Sequence, residues 1–92
     1  MLEQMDKILQ DHFNIHHITL EDQGYFHRGH HPDRKGGHYA ITLVSNDFIE
    51  LNTIKRHQKV YNALNMPNNQ NIHALTLNTL TIDEWQSKQA KD

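Results

Sequence analysis

The sequence predicts one α+β domain over residues 1–92, with its elements in the order α-β-β-α-β-α. Three observations lead to this fold class. Apolar residues recur at helical spacing in two segments, three other segments carry strand patterns, and a helix-start motif follows the last strand. Because a helix lies between the second and third strands, the third strand can run parallel to one of the others. We therefore expect a three-stranded mixed sheet covered by helices on one face.

The first half of the chain predicts a helix followed by a hairpin. Residues 2–12 form an amphipathic helix, since apolar side chains recur at helical spacing at Leu2, Met5, Ile8, Leu9 and Phe13. Residues 15–21 alternate apolar and polar side chains, and residues 39–44 are rich in β-branched and aromatic ones, so both predict strands. Between them, residues 22–37 hold glycines and almost no aliphatic side chain. A loop this long inside a small domain is usually functional or disordered.

The second half predicts a helix, a strand and a final helix. After a turn at residues 45–47, either Asn52 or Thr53 can cap a helix that runs to about Asn65. We expect its inward face to comprise Ile54, His57, Tyr61 and Leu64, with Val60 beside them, and its basic side chains Lys55, Arg56 and Lys59 to point outward. Pro67 and the surrounding asparagines end this helix.

The last part of the chain predicts a strand over residues 72–80 and a helix with a capping box. Thr81 can cap that helix while the Glu84 side chain returns a hydrogen bond to the Thr81 N–H. We expect Trp85 to anchor the helix and residues 88–92 to fray.

The composition of the chain excludes several classes of function. The chain has nine histidines and no cysteine, which excludes disulfides, zinc ribbons and cysteine nucleophiles. With only two serines and no carboxylate–histidine pattern, we expect no enzymatic activity. No apolar run approaches a membrane span and no signal peptide is evident, so a cytoplasmic protein is expected. A net charge of −2 does not favour nucleic acid as a partner. The lean core suggests that a partner covers part of the surface, and a homodimer stays an open alternative.

Four blocks of the sequence resemble the BolA family in order. Residues 54–64 (IKRHQKVYNAL) resemble its Arg-His helix, and residues 72–75 (IHAL) its Val/Ile-His-Ala-Leu strand. Residues 79–85 (TLTIDEW) are similar to its Thr-x-Thr-Pro-x-Glu-Trp ending, and residues 38–45 to its His-Phe…Val-Ser segment. Any one block is weak, whereas the ordered combination is specific. The resemblance implies a class II KH-like fold.

The chain departs from the family pattern at two positions. The family commonly has Gly where this chain has Glu50, and Pro where it has Ile82. We expect Glu50 to alter the turn before the helix. Ile82 keeps the capping box and is expected to be a mild change.

The resemblance also implies a partnership with monothiol glutaredoxins, in which a [2Fe-2S] cluster is shared across the interface and none is bound by the isolated chain. The family's cluster ligands are a His or Cys of the hairpin loop and the histidine of the Ile-His-Ala-Leu strand. The latter corresponds to His73. For the loop ligand, counting from Asp22 favours His27, and counting back from His38 favours His30 or His31. The glutaredoxin cysteine and glutathione would supply the other ligands, and binding should weaken as the pH falls toward 6, because only neutral imidazole binds the iron.

Two other functions stay open. A DNA-binding transcriptional regulator would use Lys55, Arg56 and Lys59, although the chain has no Gly-x-x-Gly loop of the kind with which KH domains clamp nucleic acid. A histidine-rich loop could also bind metal by itself. We expect His57 to be a core residue and His38 a structural one with a supporting role at the site, whereas the remaining histidines are expected to be incidental: His12, His16 and His17.

Overall fold

The sheet is built as the sequence predicts, with the second strand of the chain between the first and the third. The computed structural model describes residues 2–23, 37–66 and 72–90, with the backbone alone at residues 72 and 73. The elements are α1 (Leu2–His12), β1 (His17–Asp22), β2 (Gly37–Val44), a 3-10 turn (Asn46–Phe48), α2 (Thr53–Ala63), β3 (Ile72–Leu80) and α3 (Ile82–Ala90). Helix α3 thus includes three of the residues expected to fray, namely Lys88, Gln89 and Ala90.

The register of the sheet fixes which residues share an end. Strands β1 and β2 pair antiparallel from His17 opposite Val44 to Asp22 opposite Tyr39, which confirms the hairpin. Strands β2 and β3 pair in parallel up to Val44 opposite Leu80, which confirms the crossover. β1 begins two residues later than expected, at His17, although the His16 N–H already donates to the Val44 carbonyl.

Alternate residues of β2 form the centre of the core. Tyr39, Ile41 and Leu43 are buried, as successive residues of a strand point to opposite faces. Met5 and Leu9 of α1 pack against this face together with buried residues of α2, and the cluster also includes Phe13 and Phe48. Helices α1 and α2 therefore cover one face of the sheet.

The buried stripe of α2 differs from the one expected. Val60 and Leu64 are fully buried, whereas Ile54 is 68% exposed. The helix starts from Asn52, whose side chain accepts from the Lys55 N–H at 2.9 Å, and ends at Ala63 rather than near Asn65. The buried face of the helix is thus centred on Val60, so position 56 rather than position 54 lies toward the sheet.

A buried serine joins the end of β2 to the segment after α1. The Ser45 hydroxyl donates to the Asn14 carbonyl at 2.8 Å and accepts from the Asp47 N–H at 3.0 Å. The Asp47 carboxylate in turn accepts from the Asn14 N–H at 2.8 Å. These bonds satisfy backbone groups where strand, turn and helix end meet.

The turn before α2 contains a residue in the left-handed region. Glu50 has φ of 68°, at the position where the related family commonly has Gly. A side chain there crowds its own backbone, so the expected effect of Glu50 on the turn takes the form of local strain.

Within the described ranges, no helix combines the length and the apolar character needed to cross a membrane.

Candidate functional site

The histidine-rich segment is joined to the sheet at one end, which we call the loop end. The loop end comprises Asp22, the last residue of β1, and Gln23 after it, together with residues 37–39 of β2 and residues 72–74 of β3. The Gln23 N–H donates to the His38 carbonyl at 2.8 Å, so the two chain ends that flank residues 24–36 lie side by side. The parallel pairing of β2 with β3 brings the start of β3 to the same end.

His73 lies in β3 at this loop end, next to an irregularity in the sheet. Gly37 pairs with Ile72, but His38 pairs with Ala74, so His73 is the extra residue of a β-bulge. Bulges are rare between parallel strands and are often found next to functional sites. The backbone of the strand ligand implied by the family resemblance thus lies next to the β2 end of the histidine-rich segment and one strand away from its β1 end.

The candidate loop ligands His27, His30 and His31 lie outside the described residues. Their role therefore stays a prediction from the sequence. His38, at the second position of β2, is half-buried and is engaged in interactions of its own. In residues 2–23, 37–66 and 72–90, no group of three or more His, Asp or Glu side chains is arranged to hold a metal ion.

The basic face expected on α2 is reduced to two lysines. Lys55 and Lys59 are exposed, but the Arg56 side chain is only 12% exposed. Its guanidinium donates to the Leu51 carbonyl at 2.8 Å and the Thr79 carbonyl at 3.1 Å, and it forms an ion pair with Glu84. The expectation that Arg56 points outward is therefore wrong, because its planar fork donates to these two carbonyls and to the Glu84 carboxylate.

The Glu84 carboxylate that pairs with Arg56 also forms the predicted capping box of α3 with Thr81. The Glu84 carboxylate accepts from the Thr81 N–H at 2.8 Å, and the Thr81 hydroxyl accepts from the Glu84 N–H at 3.2 Å. The hydrogen bonds from Arg56 and then from Thr81 lower the pKa of Glu84 from 4.5 to about 2. Glu84 is therefore ionised throughout the physiological range, and Arg56 has a structural role.

His57 lies outside the fully buried core. It is half-buried and lines an open groove of about 390 Å³ between α2, β3 and α3, with Leu77 and Lys88 among the other lining residues. The expectation that His57 is a core residue is therefore wrong: it borders this groove, and the buried residues of the helix and its C-cap are Val60 and Leu64.

Two histidines expected to be incidental contact the tryptophan of α3. The His17 ring stacks on Trp85 at 4.8 Å between centroids, and the His16 ring meets the same indole edge-on at 5.4 Å. Trp85 thus anchors α3 as predicted, but against β1. No sequence signal pairs residues this far apart; only the folded sheet brings them together. His12, by contrast, is exposed at the end of α1 and bonds the Ile8 carbonyl of its own helix at 2.8 Å.

Comparison with known proteins gives a consistent result. A sequence model of the family described as BolA-like protein matches residues 9–84. The chain is 37% identical to an uncharacterized protein of Buchnera aphidicola over 98% of this chain and 85% of that protein. It is 30% identical to the DNA-binding transcriptional regulator BolA of Haemophilus influenzae, over 91% of this chain and 80% of the relative.

Comparison with solved structures indicates the same family. It resembles BolA1 from Arabidopsis thaliana with a TM-score of 0.73 and 29% identity, over 89% of this chain and 92% of that one. This likeness confirms the α+β fold predicted from the sequence. On these matches, which cover most of its length, the chain belongs to the BolA-like protein family.

Proposed function

We propose that this protein is a cytoplasmic, non-enzymatic adaptor that binds a monothiol glutaredoxin and shares a [2Fe-2S] cluster with it, in iron–sulfur cluster trafficking and iron homeostasis. His73 and one of His27, His30 and His31 are the imidazole ligands. The observation that carries the proposal is the geometry of the loop end. Both ends of the segment that contains the loop histidines lie at the same end of the sheet as the backbone of His73: Gly37 is next to the start of β3, and Gln23 is on the other side of β2.

The donor set of the chain suits a shared cluster. The chain contains no cysteine, so it offers imidazoles but no thiolates. Two imidazoles can replace two thiolates on one iron of a [2Fe-2S] cluster and raise its reduction potential. The partner's cysteine and glutathione would then supply the sulfur ligands, and the cluster would be bound in the complex rather than by the isolated chain.

The direct test is reconstitution with a monothiol glutaredoxin, iron, sulfide and glutathione, followed by visible circular dichroism. We expect a spectrum that differs from that of glutaredoxin alone, and we expect His73→Ala to abolish the difference. His12→Ala is the matched control, because this histidine is exposed on α1 and bonds only within its own helix in the described structure. A spectrum identical to that of glutaredoxin alone would refute the proposal.

The same assay identifies the loop ligand. His27→Ala, His30→Ala and His31→Ala are compared one at a time, each against the wild type. We expect one of the three to reproduce the effect of His73→Ala and the other two to leave the spectrum unchanged. If all three single variants keep the wild-type spectrum, a loop histidine is not an essential ligand.

A second candidate function is DNA binding. The observation that favours it is the name of the Haemophilus influenzae relative, a DNA-binding transcriptional regulator. In this chain the surface for phosphate contacts on α2 comprises Lys55 and Lys59, since Arg56 is engaged with Glu84. We expect the double replacement of both lysines by Gln to lower the slope of log affinity against log salt by about two.

The matched control for this test is Lys7→Gln, which removes an exposed positive charge from α1 instead. An equal loss of affinity for DNA in the control would mean that the net charge of the protein, and not the α2 surface, determines the affinity. Affinity that does not respond to salt would exclude phosphate contacts of this kind.

A further inference from the structure

An aromatic ring lies directly on a glycine at the loop end of the sheet. If Gly37 carried a Cβ atom, that atom would lie 2.7 Å from both Cζ and Oη of Tyr39, and 2.8 Å from its Cε2. Cβ atoms do not approach other heavy atoms this closely, so the ring occupies the space of the missing side chain. Tyr39 is only 6% exposed and belongs to the core cluster. Moving the ring would therefore disturb the packing of the core.

This contact coincides with the β-bulge. Gly37, the first residue of β2, pairs with Ile72 on one side of the irregularity. His73 is the residue of β3 that the irregularity leaves without a register partner. Beyond the bulge, Tyr39 pairs with Leu75 and the register is regular up to Val44 opposite Leu80. An aromatic ring packed over a glycine is one of the features that hold a strand register in place.

We propose that Gly37 and Tyr39 are positioning residues for the ligand His73: the ring packed on the glycine fixes the bulge, and the bulge sets the backbone from which His73 projects. This inference rests on the proposed function. A metal ligand must be held within about 0.5 Å of its working position, so the backbone that bears it has to be fixed before binding. The loop end needs such a constraint, because β3 enters the sheet only one residue before His73.

The test begins with Gly37→Ala, whose methyl group and the Tyr39 ring cannot occupy their present positions together. In reconstitution with glutaredoxin, we expect this variant to bind the cluster-loaded partner about tenfold or more weakly, the range seen when groups that support a metal ligand are removed. Leu43→Ala, buried in the same strand but remote from the bulge, controls for a general loss of stability.

A second readout needs no cluster. In amide NMR spectra of the chain alone, Gly37→Ala should shift the resonances of His73 and Ala74 and leave that of Leu80, at the other end of β3, in place. If Gly37→Ala does not fold, Tyr39→Leu removes the ring from the glycine instead and should weaken cluster-dependent binding in the same way.

The outcomes separate the positioning role from the function on which it rests. A wild type that gives no circular dichroism change with glutaredoxin refutes the proposed function, and the positioning role falls with it. A responsive wild type beside a Gly37→Ala variant of equal affinity overturns the positioning role alone. Equal losses in Gly37→Ala and Leu43→Ala also overturn it, since they indicate an effect of stability.

Discussion

Neutralising Glu84 should remove a defined, pH-dependent part of the stability of this domain. The carboxylate receives two bonds from Arg56, at 2.6 Å and 3.3 Å, and one from the Thr81 N–H at 2.8 Å. Glu84→Gln keeps the shape of the side chain and removes its charge. The single amide oxygen that remains accepts weaker hydrogen bonds from Arg56 and Thr81 than the carboxylate does, because hydrogen bonds to an ionised acceptor are about twice as strong as those to a neutral one.

The magnitude follows from the pKa shift after allowance for solvent. A fall in the pKa of Glu84 from 4.5 to about 2 would correspond to about 3 kcal/mol if it acted in full. The Glu84 side chain is 45% exposed, however, so solvent screens the interaction and we expect about 1–2 kcal/mol. For a domain of this size, each kcal/mol corresponds to a fall in Tm of about 4–8 °C.

The sign of the pH dependence is fixed by the direction of the shift. Because folding lowers the pKa of Glu84, its stabilisation is fully present above the unfolded value of 4.5 and is lost as the pH falls toward about 2. The unfolding free energies of wild type and Glu84→Gln should therefore differ most above pH 5 and converge between pH 4.5 and 2.

The assay is urea unfolding followed by far-UV circular dichroism at a series of pH values. Asp83→Asn is the matched control, since it removes an exposed negative charge from the same first turn of α3. We expect this control to change stability by less than about 0.5 kcal/mol. Stability curves of wild type and Glu84→Gln that stay parallel from pH 7 to 2 would refute the reasoning, as would a control effect of equal size.

Two further perturbations test local features of the fold by denaturant unfolding. Glu50→Gly should raise the free energy of unfolding by about 1 kcal/mol, because glycine relieves the left-handed conformation at φ of 68°. Asn65→Gly, at φ of 61°, should have little effect, since Asn tolerates this region, and an equal gain at both positions would contradict the explanation. Ser45→Ala should lower the free energy of unfolding by about 1–3 kcal/mol, because it leaves the Asn14 carbonyl and the Asp47 N–H without the hydroxyl that bonds them. An unchanged free energy of unfolding would mean that water replaces the hydroxyl.

Local patterns in the sequence were sufficient to predict every helix and strand of the described structure. The capping box of α3 is an example: Thr81 and Glu84 lie three residues apart, so their mutual bonds depend only on the local backbone. The candidate ligand His73 was likewise found from sequence, through the resemblance of residues 72–75 to the family's strand. Features that involve only neighbouring residues can be predicted without the fold.

The face of α2 that is buried could not be predicted in this way. Ile54 is apolar and suitably spaced, yet it is exposed, while Arg56 is largely buried. Arg56 occupies that position because carbonyls from the turn and from β3, together with the carboxylate of α3, converge on it. Thr79 and Glu84 lie far from α2 in the sequence, so the sequence of the helix alone does not predict these contacts.

The sequence by itself thus determined the elements, their order, the family and the histidines that are candidates for the iron. Only the tertiary structure decided that the residues flanking the histidine-rich segment share one end of the sheet with His73, that a bulge lies at His73, and that Tyr39 fills the space above Gly37. The physical reason is that spacing along a chain sets local hydrogen bonds and periodicity, whereas register and packing depend on which surfaces meet when the strands pair.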